Sequence, residues 1–387
     1  MRLFLGIVFS FLIPGLLQAQ EEIQTLWLAY SQSNGSEVTV CWKSAQAGDS
    51  TVFYGNTEEC VEKRYLSESV TLHQVAIPAP VEGSRCFYRV ETQTSQGICR
   101  SPTYSFQTAS EKELRVAVVG NLFGGTVPET LIQKNVHLFM TAGDNVPCLH
   151  EKGLTKEEAR ENLMPFYRLV EKNQPFFATT VFMPVLGNHD REIAPRGKRV
   201  PGPSQFYDVD ATAYCRFFPL PGKRWTWNLD IPAFSVRFVA LDLNHINDMG
   251  TSLQTCHAWD RESEAIQDYR KWLDDENRFL ITVQNEKNDH IRSCEKGAWG
   301  ELFPKGTLSI SGFGYFAERS EVDGFSYYNT SLRGRGDRYP DPKKVFFASE
   351  DTFLLLTFTT GEPLVVEIVR VSDGNVLDRK TFPGRKK

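Results

Sequence analysis

The sequence predicts an N-terminal all-β sandwich followed by an α/β sandwich. Residues 21–109 consist of short runs in which apolar and polar residues alternate, with no helical periodicity. From residue 111 onward the apolar runs are continuous, as in strands that are buried on both faces of a sheet. Segments with helical spacing separate several of these runs, which is typical of an α/β fold.

The first 20 residues, MRLFLGIVFSFLIPGLLQAQ, predict a secretory signal peptide. Arg2 supplies the positive start, residues 3–17 are largely apolar, and Ala19 lies near a small-residue cleavage site. An uncleaved anchor is the alternative, but the run is shorter than the ~20 residues of a spanning helix. We therefore expect a secreted, periplasmic or otherwise extracytoplasmic protein with no transmembrane segment in the mature chain.

The cysteines and the net charge bear on location and partners. Four of the eight cysteines precede residue 110 and four follow it. In an oxidising compartment this count predicts disulfides within each half, and the absence of a Cys-x-x-Cys pair argues against a structural zinc site. The net charge of -5 argues against a nucleic-acid partner, because phosphate backbones require basic surface.

Residues 21–109 carry a pattern of alternating strands. Residues 38–42 read Val-Thr-Val-Cys-Trp, and residues 87–90 read Phe-Tyr-Arg-Val. This combination resembles a fibronectin type III domain, so the resemblance implies a β-sandwich. Such domains usually scaffold or bind and carry no chemistry of their own.

Residues 111–387 give the elements of the larger domain. Thr155 and Glu158 form a capping box that begins one helix, and residues 262–275 predict another. Paired strands near the C-terminus predict an antiparallel edge. The continuous apolar runs predict buried strands at 115–120, 137–143, 181–187, 238–242 and 279–283.

Three of these strands end in glycine followed by polar residues. The sequences are Gly-Asn at 120–121, Gly-Asp-Asn at 143–145 and Gly-Asn-His-Asp at 187–190. Glycine allows the sharp turn, and ligands of open α/β sheets bind at the carboxyl ends of strands. Each dipeptide alone is also a common turn, but three at one edge predict a site.

Gly-Asp at 143–144 and the Gly-Asn-His-Asp sequence resemble motifs two and three of the purple acid phosphatase family. The members of this family are calcineurin-like metallophosphoesterases. The resemblance extends over residues 25–380. It implies metal-assisted phosphoester hydrolysis, in which two metal ions (iron, zinc or manganese) bind phosphate and generate a hydroxide nucleophile. The family holds these ions with seven side chains in five motifs.

Several of these motifs depart from the family pattern. Motif one, normally Gly-Asp-x-Gly, reads Gly-Asn-Leu-Phe at 120–123, so Asn121 replaces a carboxylate. The tyrosine of motif two is Pro147, and the histidine of motif four is Glu286. Motif five, normally Gly-His-x-His, contains Phe313 and Tyr315, while the Glu-Arg pair that follows keeps the register.

The resemblance thus leaves Asp144 and Asn188 as unchanged metal positions, Asn121 and Glu286 as altered, weak ones, and His189 as a residual catalytic candidate. We expect a catalytically impaired pseudophosphatase with no tightly bound cofactor. It would bind phosphate, a phosphorylated compound or another anionic ligand, or have a structural role.

Two alternatives remain open at this point. One is an active hydrolase of the acid phosphatase type with an altered metal site, in which His150 or His290 compensates for lost ligands. The other is unrelated chemistry in the same cleft, for which Cys148 is the nearest nucleophile, although an exported cysteine favours a disulfide. The sequence contains no Gly-x-Ser-x-Gly elbow and no Walker A loop.

Overall fold

The computed structural model describes residues 23, 25–195, 206–222, 225–243, 256–274 and 276–385. The predicted signal peptide lies outside these residues. Among the helices in the described ranges, none is long and apolar enough to cross a membrane.

The described residues form nineteen strands and seven α-helices. The strands are β1 Leu26–Tyr30, β2 Glu37–Gly55, β3 Glu62–Pro78, β4 Cys86–Thr94, β5 Gly97–Arg100, β6 Tyr104–Phe106, β7 Glu113–Val119, β8 Leu138–Thr141, β9 Val181–Pro184, β10 Trp227–Ile231, β11 Val236–Leu241, β12 Phe279–Gln284, β13 Leu308–Ser311, β14 Ala317–Val322, β15 Phe325–Asn329, β16 Lys344–Ala348, β17 Thr352–Thr359, β18 Leu364–Arg370 and β19 Val376–Phe382. The helices are α1 Glu129–Ile132, α2 Lys156–Arg160, α3 Met164–Lys172, α4 Phe176–Thr179, α5 Thr212–Phe217, α6 Glu264–Leu273 and α7 Asn288–Leu302.

These strands form two mixed sheets. The first follows the order β19-β18-β17-β7-β8-β9-β1-β2-β4-β5, with β3 on β2 and β6 on β4. The second follows the order β10-β11-β12-β13-β15-β14-β16. Strands β7, β8 and β9 are parallel, and so are β11, β12, β13 and β15. The predicted buried strands are confirmed, and β17 to β19 form the antiparallel edge expected near the C-terminus.

The two sheets pack face to face and helices cover their outer faces. Val116 and Val118 of β7 belong to the core between the sheets, where Phe358 packs edge to face on Phe238 and Phe279. Alternate residues of β7 join a second cluster under α1, α3 and α4. A third cluster lies between the second sheet and helices α6 and α7. This layering is the predicted α/β sandwich.

The two helices predicted from the sequence are present in the structure. The Thr155 hydroxyl accepts from the N–H of Glu158 at 3.2 Å, and the Glu158 carboxylate accepts from the N–H of Thr155 at 2.8 Å. This capping box starts α2 as predicted. Helix α6 falls within the predicted 262–275 segment. Helix α7 was not predicted.

The N-terminal region is all-β, as predicted, but its strands are not all short. Strand β2 has 19 residues and β3 has 17. Strand β1 pairs antiparallel with β2 and also meets β9 in parallel at Leu28 and Val181. One sheet therefore continues across the boundary expected near residue 109. The fibronectin type III assignment and that boundary stay predictions.

The disulfides predicted within each half are not formed in this structure. All eight cysteines lie in described residues, and none is disulfide-bonded. Cys41 packs in the outer cluster beneath α3, whereas Cys86 and Cys99 face the core between the sheets. The intervening sheet keeps Cys41 apart from these two, so Cys41 pairs with neither of them.

Candidate functional site

The strand ends that carry the glycines come into backbone contact. A Cβ on Gly120, which follows β7, would lie 2.2 Å from the carbonyl oxygen of Thr330 and 2.7 Å from the Cα of Gly312. A Cβ on Gly312 would lie 2.2 Å from the carbonyl oxygen of Ala142. Only glycine fits such approaches, so the loops after β7, β8 and β13 meet at one point.

The loops after β9 and β12 reach the same point. Gly143 has a φ of +85°, and a Cβ there would lie 2.4 Å from the side-chain nitrogen of Asn285. A Cβ on Gly187 would lie 2.1 Å from the backbone nitrogen of Asp144. The Asn285 amide also donates to the carbonyl oxygen of Ala142 at 2.8 Å. All five sequence motifs therefore converge at the carboxyl ends of the strands.

Motifs two and three are held together by a buried carboxyl group that the sequence analysis did not assign. Asp190 accepts from the Asn145 amide and the Gly187 N–H, both at 2.8 Å, and from the Val146 N–H at 3.0 Å. Burial, and then the neighbouring Asp144, raise the pKa of Asp190 to about 7. Asp190 is thus a positioning residue that shapes the loop containing Asn188 and His189.

Asp144 and His189 lie next to each other. Asp144 is 6% exposed, and its carboxylate accepts from the backbone N–H of His189 at 3.3 Å. His189 Nδ1 lies 2.8 Å from the carbonyl oxygen of Pro147. A carbonyl can only accept, so Nδ1 carries a hydrogen and Nε2 is the acceptor nitrogen of the neutral ring.

Glu192 lies between two imidazoles. Its carboxylate oxygens are 3.5 Å from His189 Nδ1 and 3.5 Å from His150 Nε2. His150 is therefore close to motifs two and three, as the altered-site alternative requires. His290 instead contacts the thiol of Cys294 at 3.0 Å along α7 and the ring of Trp259.

Asn121 ties motif one to motif five. Its side-chain nitrogen lies 2.9 Å from the carbonyl oxygen of Gly312, 2.7 Å from that of Gly314 and 3.0 Å from the Ser331 hydroxyl. Backbone carbonyls only accept, so the amide nitrogen, and not its oxygen, faces this loop. A carboxylate at residue 121 has no hydrogen to make these bonds.

Glu286 is buried and its carboxylate is engaged near the start of α7. It is 2% exposed and accepts from the N–H of Lys287 at 2.8 Å. The hydroxyl of Ser311 donates to the Glu286 carbonyl at 2.6 Å. Glu286 therefore lies in the loop after β12, with its charge directed in part to the N-terminus of α7.

Aromatic rings surround His189. Phe123 stands where the family motif has glycine, and it adopts a φ of +49°. Its ring centroid lies 4.6 Å from that of His189 and 6.3 Å from that of Tyr315. The guanidinium of Arg333 lies 4.4 Å over the same ring, and Phe313 packs near Tyr339.

The donor set at the five motifs does not fit the family's two-metal centre. Asn121 presents hydrogens to its neighbours, and neither Pro147 nor Phe313 has a side-chain donor atom for a metal. Within the described residues, no group of three or more histidine, cysteine, aspartate or glutamate side chains is arranged to hold an ion. Asp144, Asn188, Glu286 and Tyr315 still offer side-chain oxygen atoms at the motif positions.

Two cavities flank Phe123 and Arg333. One, of about 660 Å³, is lined by Phe123, Pro147, His150, Arg168 and Lys172, among others. The other, of about 810 Å³, is lined by Arg333, Arg335, Arg370, Glu350 and Asp351, among others. Phe123 and Arg333, which contact each other, thus each line one of these cavities.

Phe123 and Arg333 were missed by sequence reasoning for different reasons. Phe123 had a usable signal, because a bulky residue occupied a glycine position. Arg333 lies about two hundred residues further along the chain, and no motif marks it. Only the fold brings its guanidinium onto the Phe123 ring.

Comparison with solved structures finds this fold at low sequence identity. A purple acid phosphatase isolated from yellow lupin (Lupinus luteus) seeds matches with a TM-score of 0.68 and 15% identity, over 93% of this chain and 74% of that chain. GAP50, the anchor in the inner membrane complex of Plasmodium, matches with a TM-score of 0.46 and 16% identity, over 71% of this chain and 90% of that chain. No protein-family model and no curated protein matches the chain. The similarity to the purple acid phosphatase structure shows that the chain has a metallophosphoesterase-like fold.

Proposed function

We propose that this chain is a purple acid phosphatase-like scaffold that is impaired as a two-metal phosphatase and binds a phosphate or phosphorylated ligand beside His189. The observation that carries the proposal is the orientation of Asn121. In the family motif, this position supplies a carboxylate that offsets metal charge. Here it supplies amide hydrogens that bond Gly312 and Gly314, and N–H groups repel a cation.

The other substitutions act in the same direction. Removing the partners that only orient metal ligands typically costs about 10–100-fold in affinity, so loss of the ligands themselves should cost more. Pro147 and Phe313 remove two ligands outright, and the ring of Phe123 lies over His189. A scaffold of this kind would bind its ligand with hydrogen-bond donors and positive charge, with no tightly held ion.

The anion would bind through groups that the structure brings to the cleft. When protonated, His189 offers Nε2 as a charged hydrogen-bond donor to an anion. Arg333 contributes a guanidinium at the Phe123 ring. A purely structural role, with the cleft empty, belongs to the same proposal. The proposed location of the protein outside the cytoplasm depends only on the signal peptide predicted in residues 1–20.

A second candidate is a hydrolase with an altered, single-metal site. The observation in its favour is that His150 and His189 both approach the Glu192 carboxylate. Imidazole and carboxylate groups are ligand types that iron, zinc or manganese accepts, but holding an ion would require these three side chains to rearrange, since in the described residues they do not form an ion site. This candidate would use the site for hydrolysis with Asp144 and Asn188 close by.

Metal content and activity separate the two candidates. We expect the purified protein to hold well under one transition-metal ion per chain by elemental analysis. We also expect it to hydrolyse an aryl phosphate no faster than an Asp144→Ala, Asn188→Ala double variant. Near-stoichiometric metal, together with turnover that the double variant abolishes, would overturn the impairment and favour the single-metal hydrolase.

A further inference from the structure

The cavity of about 810 Å³ beside Arg333 is built from loops that follow three different strands. Arg333 and Arg335 come after β15, Glu350 and Asp351 lie between β16 and β17, and Arg370 ends β18. Its volume lies within the range of about 300–1,000 Å³ that is typical of small-molecule sites. A single phosphate would leave most of it empty.

The charges that line this arginine cavity, defined by Arg333, Arg335 and Arg370, favour an anion. Glu350 pairs with the guanidinium of Arg370, which also donates to Asp373 at 2.8 Å. Asp351 accepts from the N–H of Gly334 at 2.7 Å. Both acidic groups of the cavity are thus already engaged. Within the described part of the chain, no ion pair involves Arg333 or Arg335.

Arg333 connects this cavity to the His189 cleft. Its guanidinium lies 4.4 Å over the Phe123 ring, which also contacts the imidazole of His189 at 4.6 Å. Its backbone N–H donates at 3.0 Å to the Ser331 hydroxyl, which also contacts the Asn121 amide at 3.0 Å. A bound molecule could therefore extend from His189 past Arg333 to Arg335.

We infer that the ligand carries at least two anionic groups, one beside His189 and another in the arginine cavity, as in a condensed phosphate. This inference rests on the proposed function, because it takes the His189 cleft as the first anion site. A guanidinium suits the second, since it presents a rigid fork of donors that matches phosphate oxygens.

Titration calorimetry with inorganic phosphate and tripolyphosphate at one ionic strength tests this inference. We expect tripolyphosphate to bind at least about tenfold more tightly than phosphate, a difference of about 1.4 kcal/mol. Arg335→Gln should remove that gain and leave phosphate affinity unchanged. Arg338→Gln is the matched control, because Arg338 is exposed on the same loop but does not line the cavity.

The remaining outcomes show whether the anions bind in the arginine cavity, beside His189 or at both places. Equal affinities for the two anions, or equal losses in Arg335→Gln and Arg338→Gln, would overturn the inference. His189→Ala should weaken both anions if the cleft is the first site. If phosphate fails to bind while tripolyphosphate binding still depends on Arg335, the proposed function fails and the cavity stands as an anion site by itself. Thermal melts of each variant check that it is folded.

Discussion

At the scale of single residues, Phe123 places an aromatic ring beside His189 on a strained stretch of backbone. A bulky residue with φ near +49° is a backbone outlier, and such conformations cost about 1–3 kcal/mol. Contacts of the ring with His189 and Arg333 offset that cost. The backbone of this loop has a conformation that suits glycine, although its side chain is aromatic.

Comparing Phe123→Gly with Phe123→Ala isolates this strain. Both variants lose the same ring contacts, but only glycine adopts a positive φ without a steric penalty. We expect the glycine variant to be more stable than the alanine variant by about 1 kcal/mol in urea unfolding.

Gln267, which is exposed within α6, supplies the control for that comparison. There the order should reverse, with glycine less stable than alanine by about 1 kcal/mol, because the helix interior penalises glycine. If Phe123→Gly and Phe123→Ala follow the order seen at Gln267, the loop is not strained at residue 123.

At this scale the sequence could predict which residue occupies each motif position. It could not predict how the side chain of that residue is oriented. Asn121 was recognisable as an amide that replaces a carboxylate. Whether it would offer its oxygen or its nitrogen depended on Gly312 and Gly314, which lie in a distant loop. No local pattern contains that information.

At the scale of elements, β3 buries a histidine inside the N-terminal region. His73 is 0% exposed and its ring stacks on Trp42 at 4.6 Å. Its two ring nitrogens lie 2.8 Å from the hydroxyls of Ser44 and Ser50. Burial lowers the pKa of His73 from 6.5 to about 4, against a small opposing effect of Asp49.

This histidine predicts a loss of stability in mild acid. The unfolded chain binds the proton near pH 6.5 and the folded chain only near pH 4, so the free energy of unfolding falls as the pH drops through that window. The contribution approaches about 3 kcal/mol below pH 4. His73→Gln, whose amide can still bond both serines, should flatten the decline measured by urea unfolding between pH 7 and pH 4.

His137 provides the comparison, because its pKa is also lowered to about 4, by burial and then by Arg115. The His73→Gln variant should therefore keep part of the acid-side decline, and a second variant with His137→Gln as well should lose more of it. A decline that is identical in the wild type and in His73→Gln would contradict the buried neutral state of His73.

The predictability of the elements follows from how much local signal each one carries. The buried parallel strands and the capped helix α2 were predictable, because apolar runs and a capping box are local. Helix α7 was not, since its buried positions Ile291, Trp299 and Leu302 are separated by charged and small residues. Which side of α7 is buried becomes clear only from its packing against the second sheet.

At the scale of the whole molecule, strand β1 joins the N-terminal strands to the α/β sandwich. Trp27 of β1 is 0% exposed, stacks on Phe217 of α5 at 4.3 Å and meets Tyr167 of α3 edge-on at 6.5 Å. The Tyr88 hydroxyl donates to the carbonyl oxygen of Ala178 at 2.7 Å. The sequence predicted two domains in series, because alternation and continuous apolar runs do not reveal that one strand is shared.

The shared strand predicts that the chain unfolds as one cooperative unit. We expect a single calorimetric transition for the wild type, since a continuous sheet and common apolar clusters couple the two regions. Trp27→Ala removes a ring that packs across that junction. It should cost about 3–5 kcal/mol and split the transition into two.

Trp42→Ala separates this coupling from a simple loss of core packing. Trp42 is as buried as Trp27, but it stacks on the His73 ring and donates to the Thr92 hydroxyl, both of which lie within the N-terminal strands. Its loss should lower the stability by a similar amount while the transition stays single, because β1 still bridges β2 and β9. Two transitions in the wild type, or identical profiles for the two tryptophan variants, would mean that β1 does not couple the regions.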